Sequence, residues 1–225
     1  METTLVYRSA AEINSAMSRV YNNMALAVAN SMVISYLVSS NTALMSALFG
    51  TWLKWLVIFA PLVFVFAIPL AINAGISRMG AQGLLHAFAA LMGVSFATIF
   101  VTYQLGSIVS AFFGAAILFG TLSFYGYFTK RDLSSWGQFL LIGLIAIIIA
   151  SIVNIFIGST VAQMTISALA IIIFLGLTAY DTQQIREIVS SENSGREEII
   201  GALTLYLNFI NIFLSLLQLF GGKKE

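Results

Sequence analysis

From Val20 onward the chain alternates long apolar runs with short polar breaks. The runs fall at Val20–Ser39, Trp52–Ile72, Leu84–Tyr103, Ile108–Phe128, Gln138–Ile157, Val161–Tyr180 and Ile199–Phe220. Each is close to the ~20 residues that carry a helix across a hydrocarbon core. The breaks, among them Ser77-Arg78-Met79-Gly80, Thr129-Lys130-Arg131-Asp132 and the stretch from Ser190 to Gly195, hold the Gly, Ser, Asn and charged residues that turns use. Barrel strands would instead alternate polar and apolar over segments of ~10 residues. The pattern predicts an all-α membrane protein with seven transmembrane helices across residues 20–220, a cytoplasmic N-terminal tail at 1–19 and a short C-terminal tail at 221–225.

Composition sharpens this picture. Of 225 residues, 60% are hydrophobic and only 8% charged, against ~25% charged in soluble domains. Seven crossings leave too little chain for a soluble catalytic domain. A net charge of +1 without a basic stripe sets nucleic acid aside as a partner and leaves the lipid bilayer. The absence of Cys removes disulfides and thiolate metal sites, and a single histidine, His86, removes a His-rich zinc centre. No cofactor is expected. Residues 1–19, with Glu2, Arg8, Glu12 and Arg19, lack a signal-peptide core.

Positive charge sets the expected orientation. With seven crossings Arg8, Arg19, Arg78, Lys130, Arg131, Arg186 and Arg196 share one side, and Lys223 and Lys224 fall on the other, so the N-terminus is expected inside and the C-terminus outside. Lys54 on the sparse side can snorkel. Pro61 and Pro69 in the second run each delete a backbone donor. They predict a bend, unless neighbouring helices re-satisfy the freed carbonyls.

Acidic residues are scarce where the chain is most apolar: from Ile13 to Arg131 there is no Asp or Glu. Asp132 precedes Leu133-Ser134-Ser135-Trp136 and reads as a cap for the next helix. Glu187, Glu192, Glu197 and Glu198, with Arg186 and Arg196, read as a solvated charged turn. Asp181 differs, because apolar spacing resumes after it at Ile185, Ile188 and Val189, placing a carboxylate within a membrane helix. In an antiparallel pair turning near Ser194, Asp181 lies 13 residues before the turn and Asn208 lies 14 after it, so the two can meet. An amide satisfies a carboxylate in either protonation state. Asn208 and Asn211 also fit a role as interhelical glue, and His86, Asn154 and Gln163 read as packing contacts.

Gly176-Leu177-Thr178-Ala179-Tyr180-Asp181-Thr182-Gln183 and Gly201-Ala202-Leu203-Thr204-Leu205-Tyr206-Leu207-Asn208-Phe209-Ile210-Asn211 resemble the two signature segments of the Bax inhibitor-1 family. Tyr125-Gly126-Tyr127-Phe128-Thr129-Lys130-Arg131-Asp132-Leu133-Ser134 resembles its bacterial branch. The resemblance implies a C-terminal helix wrapped by the other six, a place in the bacterial inner membrane, and a pH-sensitive leak for calcium. In that family an aspartate from each signature segment shares a proton and gates the pore, and an arginine of the second helix latches the first acid. Asp181 matches the first aspartate, whereas Asn208 stands where the second acid is usual. An Asp–Asn pair lacks the repulsion that makes two carboxylates a proton switch, so weaker or shifted pH gating is expected. One intramembrane acid also makes Asp181 a weak calcium site at most. Arg78 is the candidate latch by its level alone, with no surrounding motif, and an ordinary positive-inside anchor is the reading its position favours.

Other functions compete with the leak. Aspartyl proteolysis needs two membrane carboxylates, and GxSxG and HExxH motifs are absent, so no enzyme activity is expected. A proton-coupled transporter would commonly show an inverted duplication, and none is visible. The principal alternative is a regulatory protein that binds and modulates a membrane partner, such as a protease or a death-pathway component, without conducting ions.

Overall fold

The computed structural model describes residues 8–191 and 195–224, so Glu192 and Ser194, on which the expected turn centres, lie outside the described residues, as do residues 1–7 of the expected tail. The described chain is built of α1 (Ala10–Ser39), α2 (Thr42–Phe49), α3 (Leu53–Asn73), α4 (Arg78–Thr102), α5 (Leu105–Phe128), α6 (Ser134–Ile157), α7 (Thr160–Ser191) and α8 (Glu197–Phe220). Six of these helices are long and apolar enough to cross a membrane, and α1 with α2, bent by 101° at their junction, make a seventh if counted as one span. The protein is an all-α membrane protein.

The largest departure from the sequence reading is at the N-terminus. The first helix begins at Ala10, ten residues before the expected span, because Ser9 and Glu12 form a capping box: Glu12 N–H donates to Ser9 Oγ, and Ser9 N–H donates to Glu12 Oε2 at 2.8 Å. Ala16, Met17 and Val20 are then buried on one face of α1. Residues 10–19 are therefore structural helix rather than tail. The break after α1 has an equally local cause, since the Asn41 side chain caps α2 by accepting from Leu44 N–H at 3.0 Å.

The chain divides into two compact units. The first holds α1 to α4, the last residues of α7 and the first half of α8. The second consists chiefly of Tyr103–Gln184 and Leu207–Lys223. In the first unit α1 and α4 cross closely over small residues. A Cβ on Gly93 would stand 2.6 Å from the Ser31 carbonyl oxygen, so only glycine permits that approach. Tyr206, fully buried, shares a 2.7 Å hydrogen bond with Ser31 Oγ and packs edge-on against Phe88.

α3 runs as one helix through Pro61 and Pro69. Pro61 has no N–H for the Val57 carbonyl one turn earlier, and Ser95 Oγ of α4 donates to that oxygen at 2.8 Å. The neighbour thus restores what the proline removed. Ser95→Ala is expected to lower stability by about 1–2 kcal/mol, read as a fall in the unfolding temperature of detergent-solubilised protein.

The second unit closes around aromatic rings: Phe209 of α8 meets Phe112 and Phe119 of α5 edge-on at centroid distances of 5.3 and 5.8 Å. α6 is apolar on all sides and exposes Ile148, Ile149, Ile152 and Phe156, as a lipid-facing helix should. α8 is the opposite case. Within its apolar window 67% of residues are buried, against 17–28% in the other single-helix spans, and its two halves supply core residues to the two units.

Candidate functional site

Asp181 stands inside α7, which continues ten residues past it to Ser191. Four of the residues flanking it are held by neighbours within the second unit. Thr182 Oγ1 lies 3.0 Å from Ser123 Oγ of α5. Gln183 accepts from Leu133 N–H at 2.9 Å and donates from Nε2 to the Arg131 carbonyl at 2.9 Å. The Tyr180 ring covers Gly137, and the Ala179 backbone lies against Gly126, where any Cβ would collide with the carbonyl oxygen. The 125–134 stretch therefore has a physical role: its glycine admits α7, and its turn docks on Gln183.

Opposite this fixed segment Asn208 Nδ2 donates to Asp181 Oδ2 at 2.7 Å. Asn208 is buried and Asp181 half-buried. Two residues far apart in sequence thus share one depth in the helix pair, on α7 and α8. The arrangement couples a single proton-binding oxygen pair to a neutral amide that can donate to the anion or accept from the acid. Asn211 does otherwise: its Nδ2 donates to the Leu207 carbonyl of its own helix at 2.8 Å. Asp132, in the turn before α6, accepts from Ser134 N–H at 2.8 Å. The Ser134 hydroxyl and N–H hold its carboxyl below the ordinary range.

Two expectations need correction. Glu198, read as part of a solvated turn, is 1% exposed and is the most deeply buried charged side chain among the described residues. Arg78, offered as the latch for Asp181, directs its Nη2 to Glu198 Oε2 at 2.9 Å. Arg19, assigned to a tail, completes the cluster: its Nε and Nη2 reach the Glu198 carboxylate at 2.9 and 2.6 Å. The cause is helical phase. Glu198 shares a face of α8 with the buried Ala202, Leu205, Phe209 and Ile212, so it enters the interior and needs positive partners. That spacing, together with the Ser9–Glu12 capping box, was the available signal.

Among the described residues no three His, Asp or Glu side chains converge as metal ligands. The donors at Asp181 are one carboxylate and one amide, which suits brief contact with a cation rather than tight retention.

Comparison with known proteins agrees with this architecture. The family model described as inhibitor of apoptosis-promoting Bax1 matches residues 13–225. The inner membrane protein YbhL of Escherichia coli (strain K12) is 35% identical over 224 residues, covering 95% of this chain and 94% of its own. Uncharacterized proteins of Rickettsia prowazekii and Caulobacter vibrioides are each 38% identical, over 93% and 92% of this chain and 90% and 88% of theirs. With a family match over nearly its whole length, this chain belongs to the Bax inhibitor-1 family.

Proposed function

We propose that this protein is a proton-responsive cation leak of the bacterial inner membrane, with calcium as its permeant ion and the Asp181–Asn208 pair as its gate. The observation that carries the reading is the 2.7 Å hydrogen bond from Asn208 to Asp181 within two apolar helices. A carboxylate at such a place is costly to ionise without a partner, and its negative charge attracts a cation more strongly than the neutral amide beside it. Protonation removes that charge while the amide keeps the pair bonded, so proton binding changes the electrostatics of the site without dismantling it. The site performs no bond chemistry and takes no cofactor. The N-terminus lies inside and the C-terminus outside, on the balance of lysine and arginine.

Calcium entry into vesicles containing the purified protein tests this reading. The wild-type rate is expected to fall as acid neutralises Asp181. Asp181→Asn is expected to give a low rate with a flat pH profile. Wild-type vesicles no leakier than empty ones, at every pH, would overturn the leak and favour a protein that acts by binding a membrane partner.

A further inference from the structure

α8 carries a stripe of polar, uncharged side chains beyond the gate pair. Thr204, Asn208, Asn211, Ser215 and Gln218 recur at spacings of four, three, four and three. At ~100° per residue they fall within an arc of about 80° on one face. Between Leu203 and Phe220 the only polar side chain off this stripe is Tyr206. From Asn208 to Gln218 the stripe extends about 15 Å along the helix axis, half of a hydrocarbon core. Asn208 and Ser215 are buried and Asn211 between them is partly buried, so the stripe runs through the interior before it reaches the exposed Gln218.

Its far end is tied shut. Gln218 Oε1 accepts from Gln163 Nε2 at 2.7 Å and from Ser167 Oγ at 2.8 Å, both on α7. Gln163 Oε1 in turn accepts from Asn154 Nδ2 of α6 at 3.2 Å, and Asn154 Oδ1 accepts from Ser159 N–H at 3.2 Å. Four neutral side chains thus knot three helices of the second unit at the C-terminal end of α8. Ser167 and Asn154 are buried while Gln218 is exposed, so Gln218 is the member free to swing away.

We infer that the stripe from Asn208 to Gln218 is an aqueous limb of the permeation route, and that the Gln218–Gln163–Ser167 knot is a second closure in series with Asp181–Asn208. The permeant class that suits it is a partly hydrated cation. Amide and hydroxyl oxygens spaced about one per helical turn replace water ligands without binding the ion tightly. Because the knot contains no titratable group, it closes the limb independently of protons. For its permeant the inference rests on the leak reading.

The chain has no cysteine, so one introduced thiol reports access of water at its position. Ser215→Cys in reconstituted vesicles is expected to react with a membrane-impermeant cationic methanethiosulfonate. Ile212→Cys, fully buried and off the stripe, is expected not to. Gln218→Ala, which removes the acceptor of two hydrogen bonds, is expected to accelerate labelling of Ser215→Cys by about tenfold or more. Gln163→Leu breaks the same bond from α7 and gives an independent opening should Gln218→Ala fold poorly. Labelling of Ser215→Cys no faster than Ile212→Cys, or unchanged by both opening variants, overturns the inference. Calcium entry measured in parallel separates the two ideas. Labelling that depends on Gln218 without any wild-type flux keeps the limb and ends the leak, whereas pH-dependent flux with an inert Ser215→Cys keeps the leak and ends the limb.

Discussion

Glu198→Ala is expected to be the most damaging single substitution in the first unit. The wild-type carboxylate is 1% exposed and receives Arg19 at 2.6 Å and Arg78 at 2.9 Å, so it joins α1, α4 and α8 through one side chain. Removing it leaves two guanidinium groups facing one another with no counter-charge. Breaking a buried ion pair from one side costs ~3–5 kcal/mol. Here the arginine side chains are 38% and 43% exposed and can turn partly to water, which places the loss near the lower bound. A loss of ~3 kcal/mol corresponds to a fall of about 6–12 °C in unfolding temperature for a chain of this size. Arg78→Met alone should cost less, because Arg19 still neutralises the acid. Combining Glu198→Leu, Arg19→Leu and Arg78→Leu should recover part of the loss, since it leaves neither a buried charge nor facing guanidinium groups. Thermal unfolding in detergent checks the series; an unchanged midpoint in Glu198→Ala would mean that the cluster does not hold the three helices together.

That cluster also marks where sequence alone falls short. Apolar run length gives the order of the spans and their number to within one, because a bilayer demands a minimum length; the 101° bend between α1 and α2 is something length alone does not foretell. α6 was expected from Gln138 and begins at Ser134, a difference of the four residues Ser134-Ser135-Trp136-Gly137 at its start. α7 was expected to continue past Asp181 and does. The contact between Asp181 and Asn208 was legible because antiparallel helices map distance from a turn onto depth, and Asn208 appeared at the required distance. Glu198 and Arg19 were not legible in the same way. A charged residue beside a loop reads as solvated unless its helical phase is followed to the buried residues that share its face. Arg19 further required the helix to start at Ala10, a matter settled by two hydrogen bonds at Ser9 rather than by hydrophobicity. The knot at Gln218 was harder still. Asn154 and Gln163 each look like ordinary interhelical contacts, and only the chain of hydrogen bonds through α6, α7 and α8 makes them one structure.

Asn208→Asp is expected to change the pH response of the proposed leak more than any other substitution near the gate. The wild-type pair holds one carboxylate, and its partner is neutral at every pH, so proton binding removes one charge without relieving repulsion. A second carboxylate at the 2.7 Å position cannot remain ionised beside the first, and the two must share a proton. The gate then has two electrostatic states separated by like-charge repulsion, with the shared proton as the bond that holds α7 to α8. The ratio of calcium flux between about pH 8 and about pH 6 is expected to grow at least about threefold over wild type, since one pKa unit of coupling is worth ~1.4 kcal/mol. Asp181→Asn combined with Asn208→Asp exchanges the two groups across the helix pair and should restore a wild-type-like, shallow profile. That exchange is the stricter test, because it keeps the atoms and moves only the charge. A steep profile in the exchanged protein would place the proton switch elsewhere in the molecule, and an unchanged profile in Asn208→Asp would remove the pair from the gate.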